Sequence, residues 1–333
     1  YYAEKVRRRD YALDDEALRP YFTLENVQGG IFFLANRLYG ITFRPIVAPL
    51  YNPDCLVYEV LDEDESHLGV LYFDYYVREG KSGGAWCGNF TEQYYENGER
   101  VAPVVGVVTN YARPTRSTPT LLNLDETKTL FHEFGHALAA NFVFKYGTPE
   151  LDVGGMETAE CHSMSMEFFC WKYTEKFFGK NANKYRRRHL LDALSFIPYG
   201  VIVDEFQHVV YEHPEMTPAQ RKEVYRNLEK KYRPYLNWDG IPYLEEGTRW
   251  QYQMHIYESP FYYIDYCLAQ TVAIGFLLAS RKDYDKALQA YLHFAKQGGT
   301  KAFEELIEEA GLASPFKAVS YTHLRAHETE LHL

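Results

Sequence analysis

The residues best suited to chemistry are His132, Glu133 and His136, which lie in the stretch LFHEFGHALA and form the pattern HExxH. Two imidazoles four residues apart on a helix point the same way, so both can bind one metal ion. The carboxylate beside them would face the open coordination position, where it can act as a general base. Because three fixed letters also occur by chance, the hypothesis requires a helix around the motif and a third ligand.

The flanking residues predict the required helix. Asn123 and Glu126 have the spacing of a capping box, and apolar residues recur at helical intervals up to Phe142. Gly147 and Pro149 would end the helix. The alternative interpretation is a pair of core histidines beside an unrelated glutamate.

A third ligand is available on a second helical pattern, METAECHSMSMEFF at 156–169. Glu157 and Glu160 share a helix face, so spacing alone does not decide which one binds the metal and which one orients a ligand histidine. His162 is a weaker candidate. One continuous helix would place Glu160 about 36 Å from His136, so the chain must reverse between the two segments and form an antiparallel helix pair.

The stretch HEFGH followed by ETAECHSMSMEFF resembles the thimet oligopeptidase and oligoendopeptidase F family of zinc peptidases. The resemblance implies that His132, His136 and Glu160 bind one Zn²⁺. Glu160 matches the family's ligand because Glu167 follows it at seven residues, as in the family's ligand helix. Glu157 would then orient a ligand from behind.

A second resemblance lies downstream, where HIYESPFYYIDY at 255–266 is similar to the family's substrate-side segment of a histidine followed by a tyrosine cluster. It implies that His255 and Tyr266 hydrogen-bond the carbonyl oxygen of the substrate. Tyr257 and Tyr263 are further substrate-binding candidates.

The glycine-rich segment GKSGG permits two interpretations. Residues 80–82 supply the end of a phosphate-binding loop, but Tyr75 stands where that motif requires glycine, so we expect no nucleotide. A loop at Gly83 and Gly84 that lets a peptide backbone approach, beside an edge strand, fits the resemblance better. An ordinary tight turn is the alternative.

The reaction implied by the resemblance is hydrolysis of internal bonds of short peptides by water that zinc activates, with Glu133 as general base. The first half of the chain looks more like peptidyl-dipeptidases, which release C-terminal dipeptides, and the second half more like oligoendopeptidases. A catalytically silent peptide-binding fragment is the remaining alternative. A thermolysin-like enzyme would need its glutamate at position 155 or 156, where Gly155 and Met156 stand.

The composition narrows the partners and the compartment. A net charge of -11 argues against nucleic acid. Five cysteines without a CxxC pair predict free thiols and a reducing compartment, hence the cytoplasm. The longest apolar stretches are shorter than the roughly 18 residues that span a bilayer, and no signal peptide opens the chain, so we expect no membrane partner.

The elements that must position these residues form a mainly α fold with a small antiparallel β-sheet (α+β), and residues 1–317 make one metallopeptidase domain. We expect residues 1–49 to be helical, 50–112 to form the sheet, and 123–317 to be helical with the zinc site. The resemblance implies a zincin catalytic domain like that of thimet oligopeptidase, with its N-terminal part missing. Residues 318–333 resemble translated sequencing-adapter read-through, and we expect a non-native tail.

Overall fold

The computed structural model describes residues 19–142, 151 and 154–317. The α-helices are α1 (Leu24–Tyr39), α2 (Leu124–Phe142), α3 (Met156–Phe169), α4 (Thr174–Phe178), α5 (Ala182–Glu212), α6 (Pro218–Tyr232), α7 (Pro242–Glu245), α8 (His255–Glu258), α9 (Tyr263–Lys282), α10 (Tyr284–Ala295) and α11 (Phe303–Glu309). Short 3-10 helices span Arg19–Tyr21, Cys170–Tyr173, Gly179–Asn181, Arg249–Tyr252 and Gly298–Thr300. The strands are β1 (Thr42–Pro45), β2 (Leu56–Leu61), β3 (His67–Tyr76), β4 (Trp86–Thr91), β5 (Tyr94–Glu96), β6 (Glu99–Val101) and β7 (Val104–Tyr111).

The main sheet has five strands in the order β1-β2-β3-β7-β4, and β5 and β6 form a separate two-stranded sheet. The expectation of an antiparallel sheet needs one correction, because β3 and β7 run parallel while the other neighbours are antiparallel. The short turn between β2 and β3 determines that these two strands are antiparallel, but it does not determine how β7 pairs with β3. The chain then passes through β4, β5 and β6 before β7 returns to the side of β3, which makes the sheet mixed.

One face of this sheet packs against α1 and α2. Phe73 of β3 and Phe134 of α2 are buried, and their rings stack with centres 6.2 Å apart. Phe32 of α1 stacks on Phe43 of β1 at 4.2 Å. Each such ring contributes about 1.5–3 kcal/mol when its apolar surface leaves water. The sheet thereby forms a rigid support under the helix that carries the HExxH pattern.

Local signals in the sequence explain where the helices begin and end. The side chain of Thr23 caps α1, and Gly40 ends it in the left-handed conformation with φ 78°. The region 1–49 is therefore not helical throughout, because β1 follows α1. At the start of α2, Asn123 and Glu126 exchange two hydrogen bonds of 2.8 Å, which confirms the predicted capping box. The predicted end of that helix lies outside the described residues.

The C-terminal part is helical, as expected. Thr217 and Gln220 form a capping box at the start of α6. Among the described helices, α9 alone has the length and apolar composition that could cross a membrane, but 56% of the apolar window is buried. It packs against α3 and α5 as a core helix. All five cysteines are free thiols, as predicted, whereas the expected tail at 318–333 lies outside the described part of the chain.

Candidate metal centre

Helices α2 and α3 cross in close contact at a glycine. A Cβ atom added to Gly135 would lie 2.9 Å from the Cα atom of Ser163, so no larger residue fits this crossing without a shift. On either side of the crossing, His132 of α2 faces Glu167 of α3 and His136 faces Glu160. These pairings show that the two helices run antiparallel, as predicted.

The crossing brings the three predicted ligands together. His132 Nε2 lies 3.2 Å from His136 Nε2 and 3.1 Å from Glu160 Oε2, and His136 Nε2 lies 3.4 Å from the same oxygen. Two atoms bound tetrahedrally to zinc, each about 2.0–2.1 Å from the ion, are about 3.4 Å apart. Both the size of this triangle and its donors, two imidazoles and one carboxylate, fit a single zinc ion with a fourth position free.

The charge of Glu160 suits a metal ligand. Burial by itself raises the pKa of this carboxyl, but the hydrogen bonds and charges of His132 and His136 outweigh burial and lower the pKa well below its usual range. The oxygen that faces the histidines also lies 3.3 Å from the Ser163 hydroxyl, and the other oxygen accepts a hydrogen bond from Tyr262. The carboxylate is therefore ionised and held on both sides.

Glu133 lies beside the triangle and is also buried. Burial raises the pKa of Glu133, while the charges of His132 and His136 partly oppose the rise. Its carboxylate shares a hydrogen bond with the backbone of Cys87, so it lies next to β4, the strand at the edge of the sheet. A carboxylate whose pKa is raised toward neutrality can accept a proton from water efficiently.

The residue behind His132 is Glu167 and not Glu157, which we expected there. Oε1 of Glu167 lies 3.4 Å from His132 Nδ1, and Oε2 lies 2.7 Å from Nε2 of His189. The antiparallel crossing explains the difference. Residues near the N-terminus of α3, such as Glu157, lie opposite the C-terminal part of α2, whereas His132 lies before the crossing. The carboxylate of Glu157 instead folds back over Gly155, at the start of its own helix.

The expected substrate-side residues come from the first residue of α8, His255, and from the first turn of α9, which carries Tyr263 and Tyr266. The ring of His255 lies 5.8 Å from that of Tyr266 and 5.1 Å from that of Tyr263. Together with His132 these residues line a cleft of about 390 Å³. Tyr257 lies apart from this group, because it is exposed and stacks on Trp250 at 6.1 Å.

A further residue, Tyr262, was not predicted although it contacts a ligand directly through its hydrogen bond to Glu160. Its ring lies 4.9 Å from that of Tyr266. The two tyrosines are four residues apart and therefore lie on one helix face, which is a signal that the sequence contained. The adjacent Tyr263 packs instead against Phe196.

His255 is oriented by the residue two positions before it. Nδ1 of His255 lies 2.7 Å from Nε2 of Gln253, and the Gln253 carbonyl accepts a hydrogen bond of 2.7 Å from Tyr199. Nδ1 therefore accepts, and Nε2 carries the proton. Burial lowers the pKa of His255, although the charges of Glu160 and Glu258 oppose the shift. The ring is accordingly neutral, with one N–H group to donate.

The glycine-rich loop holds no free ammonium group for a phosphate. Lys81 Nζ lies 3.1 Å from Oδ1 of Asp74 and 3.0 Å from the carbonyl of Tyr76, and only 8% of the lysine side chain is exposed. The ammonium group is therefore engaged by these protein groups and is not available to a phosphate, in agreement with our expectation that this loop binds no nucleotide. Gly83 and Gly84 are exposed just before β4, and Gly84 has a φ of 93°.

Comparison with known proteins identifies the family. Residues 1–326 match the profile of Peptidase family M3. The chain belongs to peptidase family M3. It is 48% identical over 151 residues to a dipeptidyl carboxypeptidase of Salmonella typhimurium, covering 44% of this chain and 22% of that protein. It is 35% identical over 242 residues to oligopeptidase A of the same organism, covering 68% of this chain and 36% of that protein.

Solved structures of peptidases agree with the fold. PZ peptidase A, determined with an inhibitor, superposes with a TM-score of 0.65 at 42% identity, covering 77% of this chain and 42% of that one. A protein of Bacillus anthracis assigned as an oligoendopeptidase F gives 0.58 at 37% identity, covering 78% and 41%. The predicted family and mainly helical fold are thus confirmed, and this M3 chain spans less than half the length of these relatives.

Proposed function

We propose that this M3 chain carries the catalytic centre of a zinc metallopeptidase that hydrolyses internal bonds of short peptides. The ligand triangle of His132, His136 and Glu160 is the observation that carries the proposal, because its size and donor set match a catalytic zinc site. Family membership supports peptidase chemistry in general. The free cysteines support a cytoplasmic location.

The chemistry divides between the metal and the residues around it. When bound by the three ligands, Zn²⁺ would act as a Lewis acid and lower the pKa of a water molecule. Glu133 accepts the proton of the attacking water and passes it to the leaving amine, a role for which its raised pKa is suited. The buried setting of Glu133 strengthens its interactions with the charged groups nearby.

The substrate side stabilises the charge that develops during attack. The N–H group of His255 and the hydroxyl of Tyr266 donate hydrogen bonds to the carbonyl oxygen of the scissile bond as it becomes negative. Tyr263 forms part of the cleft wall, and the exposed Tyr257 contacts substrate residues farther from the bond. Gly83 and Gly84 lead into the edge strand β4, with which an extended peptide pairs through its main chain.

The alternative mode, release of C-terminal dipeptides, is favoured by the 48% identity to a dipeptidyl carboxypeptidase. Because that match covers 44% of this chain, whereas the similarity to the Bacillus anthracis protein assigned as an oligoendopeptidase F covers 78%, we prefer internal cleavage. A catalytically silent peptide-binding fragment is a third candidate, since the chain spans only part of its relatives. The general base and all three ligands remain in place, which favours activity.

The test is mass spectrometry of the products from one short peptide and its C-terminally amidated twin. Each is incubated with the wild-type protein, with wild type plus a zinc chelator, and with Glu133→Gln, the matched control for contaminating peptidases. Chelator-sensitive internal cuts in both peptides support the proposal. Dipeptides released from the free acid alone establish the alternative mode, and cleavage that Glu133→Gln leaves unchanged refutes a role for this site.

A further inference from the structure

We propose that Trp171, His189 and Glu167 form a positioning chain that holds His132 in the tautomer that binds the metal. The inference rests on the proposed function, because it concerns the same metal centre. None of these three residues takes part in the proton transfers described above. They come from three different elements: Glu167 from α3, Trp171 from the 3-10 helix Cys170–Tyr173, and His189 from α5.

Trp171, at the end of the positioning chain farthest from the metal centre, sets the direction of its hydrogen bonds, because an indole N–H can only donate. The indole nitrogen of Trp171 donates to Nδ1 of His189 at 2.9 Å. Because Nδ1 accepts this hydrogen bond, the proton of the neutral His189 ring is on Nε2. That nitrogen lies 2.7 Å from Oε2 of Glu167 and donates to it. The tautomer of His189 therefore follows from the chemistry of tryptophan.

The same reasoning gives the tautomer of His132, the proposed metal ligand. An ionised carboxylate only accepts, so Oε1 of Glu167 takes its hydrogen bond from Nδ1–H of His132, at 3.4 Å. With a proton held on Nδ1, His132 can give the lone pair of Nε2, the atom that belongs to the ligand triangle, to a metal ion. A hydrogen bond to the distant ring nitrogen is how proteins fix the tautomer and orientation of a ligand histidine.

Burial prevents water from replacing the hydrogen bonds of this chain. Trp171 is 6% exposed and His189 is 4% exposed. The ring of Phe168 stacks on that of His189 at 4.7 Å, which fixes the ring plane as well as its hydrogen bonds. The position of His132 on α2 is therefore coupled to α5, an element that supplies no metal ligand.

A purely structural role makes a different prediction from a positioning role. If the chain only satisfies buried polar groups, its removal lowers the stability of the fold and leaves the affinity of the folded protein for zinc unchanged. If it positions His132, removal weakens zinc binding, typically by about 10–100-fold. Zinc affinity separates these cases without any measurement of peptide cleavage.

The experiment measures zinc affinity of the full chain by competition with a chromogenic chelator. We expect His189→Leu to bind zinc about 10–100-fold more weakly. His189→Gln should recover most of the affinity, because its carbonyl can accept from Trp171 while its amide donates to Glu167. The matched control is Tyr291→Phe, which removes the equally buried hydrogen bonds of this hydroxyl to Tyr39 and to the backbone of α3 at His162, and which should leave the affinity unchanged.

A second readout follows the tautomers directly. In zinc-loaded protein, ring ¹⁵N NMR shifts should show the proton on Nε2 of His189 and on Nδ1 of His132. Trp171→Phe should convert His189 to a mixture of tautomers, and this variant also serves if His189→Leu does not fold. Wild-type zinc affinity in His189→Leu, or an equal loss in Tyr291→Phe, would overturn the inference.

The two proposals fail in distinguishable ways. A protein that binds zinc in a manner dependent on His189 but cleaves no peptide refutes the proposed function and supports the positioning chain. If the protein cleaves peptides with Glu133 as base, but its zinc affinity does not depend on His189, the proposed function is supported and the positioning chain is refuted.

Discussion

Two histidines of the site, His132 and His255, are each held at Nδ1 by a chain of hydrogen bonds, and the chains differ in how firmly they are directed. Behind His132 the chain ends at Trp171, which can only donate. Behind His255 it runs through Gln253 to Tyr199, and both of those groups can donate and accept. The metal side is therefore fixed in one tautomer, whereas the substrate side can reverse its direction by turning one amide.

Burial reinforces this contrast. The metal side is enclosed by α2, α3 and α5, and Glu160 and His189 are almost inaccessible. The substrate side borders solvent, because Met254, the residue before His255, and Tyr257 of α8 are both at least half exposed. A metal ion of fixed size favours a rigid and dry frame, whereas a groove for varied peptides favours groups that can adapt.

The largest effect is expected from breaking the metal side itself. Glu160→Gln replaces a charged ligand by a neutral amide, so we expect zinc and activity to be lost together. The metal contributes several kcal/mol of transition-state stabilisation, which corresponds to a factor of about a thousand in rate. Metal analysis and kcat/KM on the same sample check this. Full zinc content in the variant would contradict the assignment of the ligand.

A smaller effect, without loss of metal, is expected on the substrate side. Tyr266→Phe removes one donor to the developing oxyanion, so kcat should fall about a hundredfold or more. Because Tyr266 does not belong to the triangle, zinc content should equal that of wild type. A change confined to KM would show that the hydroxyl binds the ground state, and loss of zinc would remove the distinction between the two sides.

Tyr262 tests where the boundary between the two sides lies. It belongs to the tyrosine cluster by sequence, yet its hydroxyl donates to Glu160. We expect Tyr262→Phe to weaken zinc binding by about tenfold, as loss of a partner behind a ligand does. Chelator competition measures this, with Tyr266→Phe as the matched control. Unchanged affinity together with a lower kcat would place Tyr262 wholly on the substrate side.

The smallest effect is a shift in the titration of His255. Burial lowers the pKa of His255 in spite of Glu160 and Glu258, so the folded protein takes up this proton only below the ordinary value of about 6.5. A lowered histidine pKa means that acidification below that value disfavours the folded state. Gln253→Glu places a carboxylate at Nδ1 and should raise the pKa of His255, because a nearby negative charge favours the protonated ring.

Histidine NMR titrations of wild type and of Gln253→Glu check both directions. A midpoint at or above about 6.5 in wild type would show that the substrate side is charged at neutral pH. An unchanged midpoint in the variant would show that Gln253 does not control the ring.

The sequence predicted the parts of the site that depend on local spacing. The capping box at Asn123, the helix around HExxH and the three ligand types follow from periodicity and from one family resemblance. The role of Glu167 behind His132, in place of the expected Glu157, could not be found this way, because helical spacing shows which face a residue lies on but not which residue of another helix it meets. That pairing is set where Gly135 meets Ser163, a contact between distant parts of the chain.

The sheet shows the same limit. A sheet within residues 50–112 could be predicted because β2, β3 and β7 have long apolar runs, whereas β4, with the sequence WCGNFT, is half-exposed at the edge and has no regular alternation. The parallel pairing of β3 with β7 depends on where the chain returns after β4 to β6. Local periodicity carries no information about such a crossover.

The close crossing at Gly135 has a consequence for the choice of ion. The distance between α2 and α3, and with it the size of the ligand triangle, is set by the absence of a side chain at the position between the two histidines of the motif. A methyl group there would push the helices apart and widen the triangle toward the longer bonds of larger cations. We therefore expect the metal selectivity of this site to depend on backbone spacing as well as on ligand chemistry, and competition between zinc and the larger Cd²⁺, which also binds imidazole, would measure the difference in Gly135→Ala.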